Sequence, residues 1–215
     1  MRTRLFIATL FLFVSATTFA QFEGAKQTYS APNLQTELQK QKTVAILPFD
    51  VSLTYKRPPK NYDSFANKNE EVSIAKNLQQ SMFTYLLRKS DKYFVTFQDV
   101  TRTNALLKSK GIYDQLDVLT QDSICKILGV DAVIKCNYSY EKTASEAGAI
   151  AKTIMFGGIG SKTGSGALTM QIYNGADGNL LWRFYKAMND NVMSSTDQLM
   201  ERMMRKVSRN FPYEK

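Results

Sequence analysis

Two segments near the C-terminal end constrain the fold of this chain more than any other part of it. In residues 166–174, Leu168, Met170 and Ile172 alternate with Ala167, Thr169 and Gln171. In residues 179–187, Leu180, Trp182 and Phe184 alternate with Leu181, Arg183 and Tyr185. A period of two is the mark of a strand with one face buried. The intervening Asn174-Gly-Ala-Asp-Gly178 supplies residues that tolerate positive φ, so the pair reads as an antiparallel hairpin. An apolar sheet face has to be covered, and the rest of the chain must supply the cover.

Upstream, Thr43-Val-Ala-Ile-Leu-Pro-Phe49 reads as a central strand buried on both faces and closed by Pro48, which has no amide hydrogen to give a ladder. Residues 50–69 contain Pro58-Pro59 and no sustained period, and read as a loop. From Glu70 to Arg88 the apolar residues Ala75, Leu78, Met82, Tyr85 and Leu86 recur at helical steps, with Glu70-Glu71 suited to the positive end. Tyr93–Phe97 reads as a strand, and Thr101–Lys108 as a short helix that Gly111 stops. Thr120 is placed to cap a helix bearing Ile124, Ile127 and Leu128 and ending at Gly129. Asp131–Tyr140 is the next strand. A last helix starts near Ser195, with Gln198 placed for a capping box. Its apolar stripe is Thr196, Leu199, Met200, Met203 and Val207, and Phe211-Pro-Tyr213 ends it. The methionines at 193, 200, 203 and 204 read as adaptable core filler. The predicted order is β-α-β-α-α-β-β-β-α. It implies a single mixed α/β domain over residues 43–213, in three layers, with about five strands and helices on both faces.

The N-terminal end carries an address. Arg2 and Arg4 precede an apolar run from Leu5 to Val14, and Thr18 and Ala20 place small residues at −3 and −1 of a cleavage point before Gln21. This reads as a secretory signal over residues 1–20 rather than a transmembrane anchor. The apolar run falls short of the ~20 residues a spanning helix needs, and no later stretch approaches that length without charges. Residues 21–42, polar and glutamine-rich, read as a flexible arm. With Cys125 and Cys136 the only cysteines, none stands at the cleavage point to take a lipid, so a periplasmic location follows. Cys125 near the end of a helix and Cys136 inside a strand sit at different heights, which favours two buried free thiols over a disulfide.

The full chain has 28 basic and 19 acidic side chains, net +9. Loss of Arg2 and Arg4 with the signal leaves 26 against 19, net +7. Outside the inner membrane such a balance suits anionic lipid head groups, cell-wall polymer or an acidic protein face rather than nucleic acid. No histidine is present, which removes Ser-His-Asp and Cys-His catalysis, His-ligated zinc and a histidine pH switch. Two cysteines cannot build a Cys₄ metal site. The glycine-rich stretch Phe156–Gly166 lacks glycine before Lys162 and a helix after it, so it reads as a turn between strands rather than a phosphate loop. Asp50, Glu70, Glu71 and Asp99 are the acids an Asp/Glu hydrolase would use, but each has a capping or solvated explanation and nothing pairs them. No Ser-x-x-Lys comes with its partner motifs. Residues 143–162 match a membrane-crossing hairpin poorly and read as a loop. No catalytic residue, metal or cofactor is therefore assigned. On the last helix, Arg202, Arg205, Lys206 and Arg209 gather about 140° from the apolar stripe. They form a candidate partner-binding strip, with Lys56, Arg57 and Lys60 as its reinforcement.

Three motifs together, Val44-Ala-Ile-Leu-Pro-Phe49, Leu128-Gly-Val-Asp-Ala-Val-Ile134 and Ile172-Tyr173 with Asp177-Gly-Asn-Leu-Leu-Trp182, resemble one group. They are similar to the exported envelope α/β domains of the curli-secretion protein CsgG, the penicillin-binding-protein activator LpoB and the N-terminal domain of TolB. Phe97-Gln-Asp-Val-Thr-Arg-Thr-Asn-Ala-Leu-Leu107 and Asn210-Phe-Pro-Tyr213 further resemble exported proteins of gram-negative anaerobes. The resemblance implies a non-catalytic domain that works through protein contacts in the periplasm, assisting envelope assembly or export. The alternative it carries is a homo-oligomeric outer-membrane pore subunit like CsgG. The lipid-attachment cysteine of CsgG and LpoB has no counterpart here. Export with cleavage before Gln21 predicts a mature N-terminus at that residue; the intact mass of the exported protein checks it, and a mass retaining residues 1–20 would refute the signal.

Overall fold

The computed structural model describes residues 26–142, 164–188 and 196–215. The signal reading, the 143–162 reading, most of the glycine-rich stretch and the Ser195 cap lie outside these residues. The elements in order are β1 (Lys26–Ser30), α1 (Leu34–Leu38), β2 (Thr43–Ile46), β3 (Asp50–Tyr55), α2 (Ser64–Arg88), β4 (Thr96–Phe97), α3 (Val100–Ser109), α4 (Gln121–Leu128), β5 (Ala132–Lys142), β6 (Gly164–Asn174), β7 (Leu180–Met188) and α5 (Thr196–Val207). They form the mixed α/β architecture that the pattern predicts. The sheet has seven strands rather than five, in the order β1-β7-β6-β5-β2-β4, with β3 also on β5.

Both extra strands correct the sequence reading. Residues 26–42 are not a free arm. β1 pairs antiparallel with β7 from Lys26↔Lys186 to Ser30↔Trp182, and Leu34 and Leu38 of α1 are buried. Residues 50–55 are not loop either: they pair with β5 from Asp50↔Asn137 to Tyr55↔Lys142. β2 and β3 are two pieces of one path along β5. Between Ile46↔Ile134 and Asp50↔Asn137 the path advances four residues against three. The extra residue is absorbed at Leu47-Pro48-Phe49, where proline's missing amide hydrogen costs no ladder bond.

The alternation along β5 sorts the core into two layers. Ala132, Ile134, Cys136, Tyr138 and Tyr140 face the larger cluster, with Leu168, Met170 and Ile172 of β6, Trp182 and Phe184 of β7, and the inner faces of α2 and α5. Val133 faces the other way with Ala45 and Leu47, under Leu107 of α3 and Ile124, Cys125 and Leu128 of α4. Helices therefore lie on both faces. α3 and α4 cover only one end of theirs, and further along β5 that face carries half-buried Lys135 and Asn137 and exposed Ser139 and Glu141.

Local chemistry sets the element ends. Asp63 accepts from the amides of Phe65 and Ala66 at 2.8 and 3.3 Å, a cap worth about 1 kcal/mol. It starts α2 at Ser64, about 1.7 turns before the expected Glu70. Asp99 caps α3 through the amides of Thr101 and Arg102. Thr120 stands at the α4 cap position, but its hydroxyl meets the Ser123 hydroxyl at 2.8 Å instead of a backbone amide. Gly129 closes α4 at φ 65, a left-handed conformation that glycine adopts without steric cost. The expected strand at 93–97 shrinks to Thr96–Phe97, while Tyr93 forms an isolated bridge with Glu214.

The last residues seal the base of the sheet. Phe211 and Tyr213 pack edge-to-face, at 5.6 Å, among Tyr93, Phe97 and Trp182. The Tyr213 hydroxyl donates to Gln41 Oε1 at 2.6 Å; Gln41 in turn reaches Asn174, which donates to Glu37. The C-terminal segment, the α1 turn and the β6–β7 hairpin are thus one hydrogen-bonded unit.

Both cysteines are buried and free, as expected, and the sheet itself separates them: Cys125 belongs to the α3/α4 layer and Cys136 to the α2/α5 layer. Burial, helped by the charges of Asp122 and Asp131, pushes the Cys125 thiol up to about 12; burial alone raises Cys136. Thiolate is the reactive form. Neither thiol should react with a disulfide reagent at pH 8 until the protein is denatured, and then both should; rapid labelling of either in the native state would contradict this burial.

Candidate functional site

The helix α2 is the ruler against which the predicted site residues can be placed. It runs antiparallel to the β2–β3 path: Gln79 donates to the Ile46 carbonyl at 2.8 Å, and Asn67 near its other end donates to the Leu53 carbonyl at 3.2 Å. α5 lies beside its C-terminal half, through Ser81 to Asp197 and Arg88 to Glu201. Lys56, Arg57 and Lys60 lie ahead of the N-terminal end of α2. From Ser64 to the level of Ser81 is some 25 Å at ~1.5 Å per residue. The structure therefore does not bring the two predicted basic sets together. The α5 strip and the 56–60 loop are separate surfaces at opposite ends of α2.

The α5 strip rests on a well-packed helix. Met200, Met203, Met204 and Val207 are all but inaccessible on its inner side, which fits the core-filler reading of the methionines at 200, 203 and 204; Met193 lies outside the described residues. On the outer side Arg205 and Lys206 are exposed and Arg202 is half-buried, while exposed Arg209 falls in the 3-10 turn Ser208–Asn210 just past the helix. Asp197, Gln198, Glu201, Arg202 and Arg205 line a shallow depression of about 430 Å³. Its two acids are already engaged, by Ser81 and Arg88. The exposed charged side chains at this end of the helix, Arg205, Lys206 and Arg209, are all basic.

At the other end, the sequence reading missed a buried lysine. Lys142 continues the inward register of Tyr138 and Tyr140 on β5 and is only 4% exposed. Its ammonium donates to both Glu70 oxygens at 2.9 and 3.0 Å and to the Tyr55 hydroxyl at 3.2 Å. Burial alone would favour the neutral amine, but the Glu70 and Tyr55 hydrogen bonds and the Glu70 charge outweigh it and hold the group above the ordinary lysine range. With a raised folded value, the stabilisation is complete below the ordinary lysine range and is lost as pH climbs through the folded value. The available signal was a lysine in phase with two tyrosines on a strand. Glu71 accepts from the Leu53 amide at 2.8 Å while Asn67 takes the Leu53 carbonyl, so α2 side chains block the outer edge of β3 at its centre.

The polar groups where β2 and β4 end are consumed internally. Gln79 and Asn104 exchange hydrogen bonds at 3.1 and 2.8 Å, and Gln98 bridges the Leu128 carbonyl and the Thr103 hydroxyl. The four carboxylates considered for hydrolysis are likewise engaged: Asp50 by Asn137, Glu70 by Lys142, Glu71 by the Leu53 amide and Asp99 as a cap. Among the described residues no group of three or more His, Cys, Asp or Glu side chains could hold a metal. None of their helices is long and apolar enough to cross a membrane.

No protein-family model matches the sequence, and no curated protein is significantly similar to it. Solved structures similar in shape include the lipoprotein GNA1162 of Neisseria meningitidis, at 11% identity and a TM-score of 0.43, covering 79% of this chain and 97% of that one. The PelC dodecamer of Paraburkholderia phytofirmans gives 10% identity and a TM-score of 0.42, over 89% of this chain and 100% of that one. The LpoB C-terminal domain of Salmonella enterica gives 14% identity and a TM-score of 0.36, over 73% and 96%. At such values no activity or partner passes from them to this chain.

Because Glu70 is partly exposed and Lys142 is not, removing the acid takes a counter-charge from a buried cation while removing the lysine leaves a solvated acid. Glu70→Ala should lower stability to urea by about 1–2 kcal/mol, and Lys142→Met by less. Equal losses, or a larger loss for the methionine variant, would mean that the pair does not anchor this end.

Proposed function

We propose that the protein is a non-enzymatic interaction module of the cell envelope, exported to the periplasm, which binds an acidic partner protein through the outer face of α5 and so assists envelope assembly or export. The observation that carries this reading is the contrast on one helix. Its inner side is locked by inaccessible Met200, Met203, Met204 and Val207; its outer side offers Arg205 and Lys206, with Arg209 after it. A packed helix presenting exposed basic side chains beside a shallow depression suits a protein surface better than an enclosed small molecule. The envelope setting rests on the signal-like residues 1–20 and on the motif resemblance, whose three segments fall on β2, on the α4–β5 junction and on the β6–β7 hairpin.

A second reading, a homo-oligomer such as a ring subunit, has one observation in its favour. β1 ends the sheet with all five residues exposed, so its outer edge could take another strand. Light scattering with and without detergent separates the two: a monomer in both conditions removes the ring. For the leading reading, crosslinking in intact cells should capture a protein partner, and Arg205→Glu with Lys206→Glu and Arg209→Glu should abolish that capture. The same partner at unchanged yield from the triple variant would retire α5 as the contact.

A further inference from the structure

The opposite end of the molecule carries a surface that an acidic protein partner on α5 does not explain. β3 leaves the sheet at Tyr55 and enters Lys56-Arg57-Pro58-Pro59-Lys60-Asn61-Tyr62 before α2 begins. Lys56, Arg57 and Lys60 are exposed, and no ion pair among the described residues involves them. The acids nearby are spent: Asp63 caps α2, Glu70 holds Lys142, and Glu71 holds the Leu53 amide and Lys68.

Apolar side chains stand out of the same end. Phe65 is 74% exposed, Val72 58% and Tyr62 44%. At 100° per residue Phe65, Lys68, Val72 and Lys76 share one stripe of α2, about 145° from its buried side at Asn67, Ile74 and Leu78. An outward stripe on a soluble helix is ordinarily all polar; this one alternates bulky apolar groups with lysines. The loop before it is held in place. The Tyr62 ring meets Tyr55 edge-on at 5.5 Å, Tyr55 accepts from buried Lys142, the Tyr62 amide donates to the Pro59 carbonyl, and the Lys56 amide donates to the Lys142 carbonyl.

Exposed cations, all but Lys68 without an ion pair among the described residues, interleaved with protruding aromatic and aliphatic groups on a fixed frame, match the interface of an anionic bilayer. Head groups neutralise the lysines there, and rings settle among the upper acyl carbons. We propose that residues 56–62 and the first three turns of α2 form a docking surface for an anionic lipid bilayer, which would hold the protein at a membrane face without a spanning helix. The proposal is independent of the protein contact at α5.

The test is co-sedimentation of the exported protein, purified from cells expressing the full chain, with phosphatidylethanolamine/phosphatidylglycerol vesicles and with neutral phosphatidylcholine vesicles. Binding should occur on the anionic vesicles and weaken with salt. Each cation near the surface contributes about fivefold, so combining Lys56→Ala, Arg57→Ala and Lys60→Ala should weaken binding about a hundredfold. Phe65→Ser should remove the salt-resistant remainder. All four side chains are exposed, so the melting temperatures of these variants should match the parent; Lys60→Glu alone serves should the triple variant fold poorly. The corresponding alanine triple at Arg205, Lys206 and Arg209 should lose far less. No sedimentation with anionic vesicles, equal binding to neutral ones, or an α5 triple that loses as much as the loop triple would overturn the proposal.

Discussion

The register of β5 is the constraint from which the rest of the molecule follows. The strand pairs with β6 along its full length and with β2 and then β3 on its other side. A slip of one residue would turn Ile134, Cys136, Tyr138 and Tyr140 to the solvent face and bring Asn137, Ser139 and Glu141 into the core. The same register brings Lys142 inward beside two tyrosines, and a buried ammonium is tolerable only with an acid in reach. Glu70 on α2 is that acid. The pitch of α2 relative to the sheet, and with it the position of the loop that precedes the helix, is tied to the pairing of one strand.

The two ends of the sheet are finished differently. The base is closed twice over, by the α3/α4 layer on one face and by Phe211 and Tyr213 on the other. Its spare polar groups go to internal partners: the Gln79–Asn104 exchange, and the chain from Tyr213 through Gln41 and Asn174 to Glu37. The far end has one layer of helix and a solvated second face. Its side chains include exposed rings and cations, with the Glu70–Lys142 pair joining helix to sheet. An end finished in this way keeps charged and apolar side chains together at the surface.

Much of this was legible. The hairpin, β5, α3, α4 and the stop at Gly129 follow from period and glycine chemistry, because each is specified by its own residues. What was not legible depends on distant partners. Lys26–Ser30 shows no alternation because both of its faces are exposed; only the backbone of β7 makes it a strand. Asp50–Tyr55 does alternate, with Val51 and Leu53 buried, but only two apolar positions repeat before Pro58-Pro59 end the period. The first turns of α2 were hidden because Asn67 and Glu71 spend their polarity on Leu53 of another strand. On the candidate surfaces, residue type and exposure were readable, but the ~25 Å between the two basic sets was not, since separation is a property of packing.

The contacts that complete the sheet join residues far apart in the chain: Lys26 with Lys186, Gln41 with Tyr213, and Tyr93 with Glu214. A nascent chain holding only its first half lacks β6, β7 and the aromatic seal. Such a topology cannot condense early, since long-range closures must wait for both participants to exist. Late condensation keeps the first half of the polypeptide extended until its second half has been made.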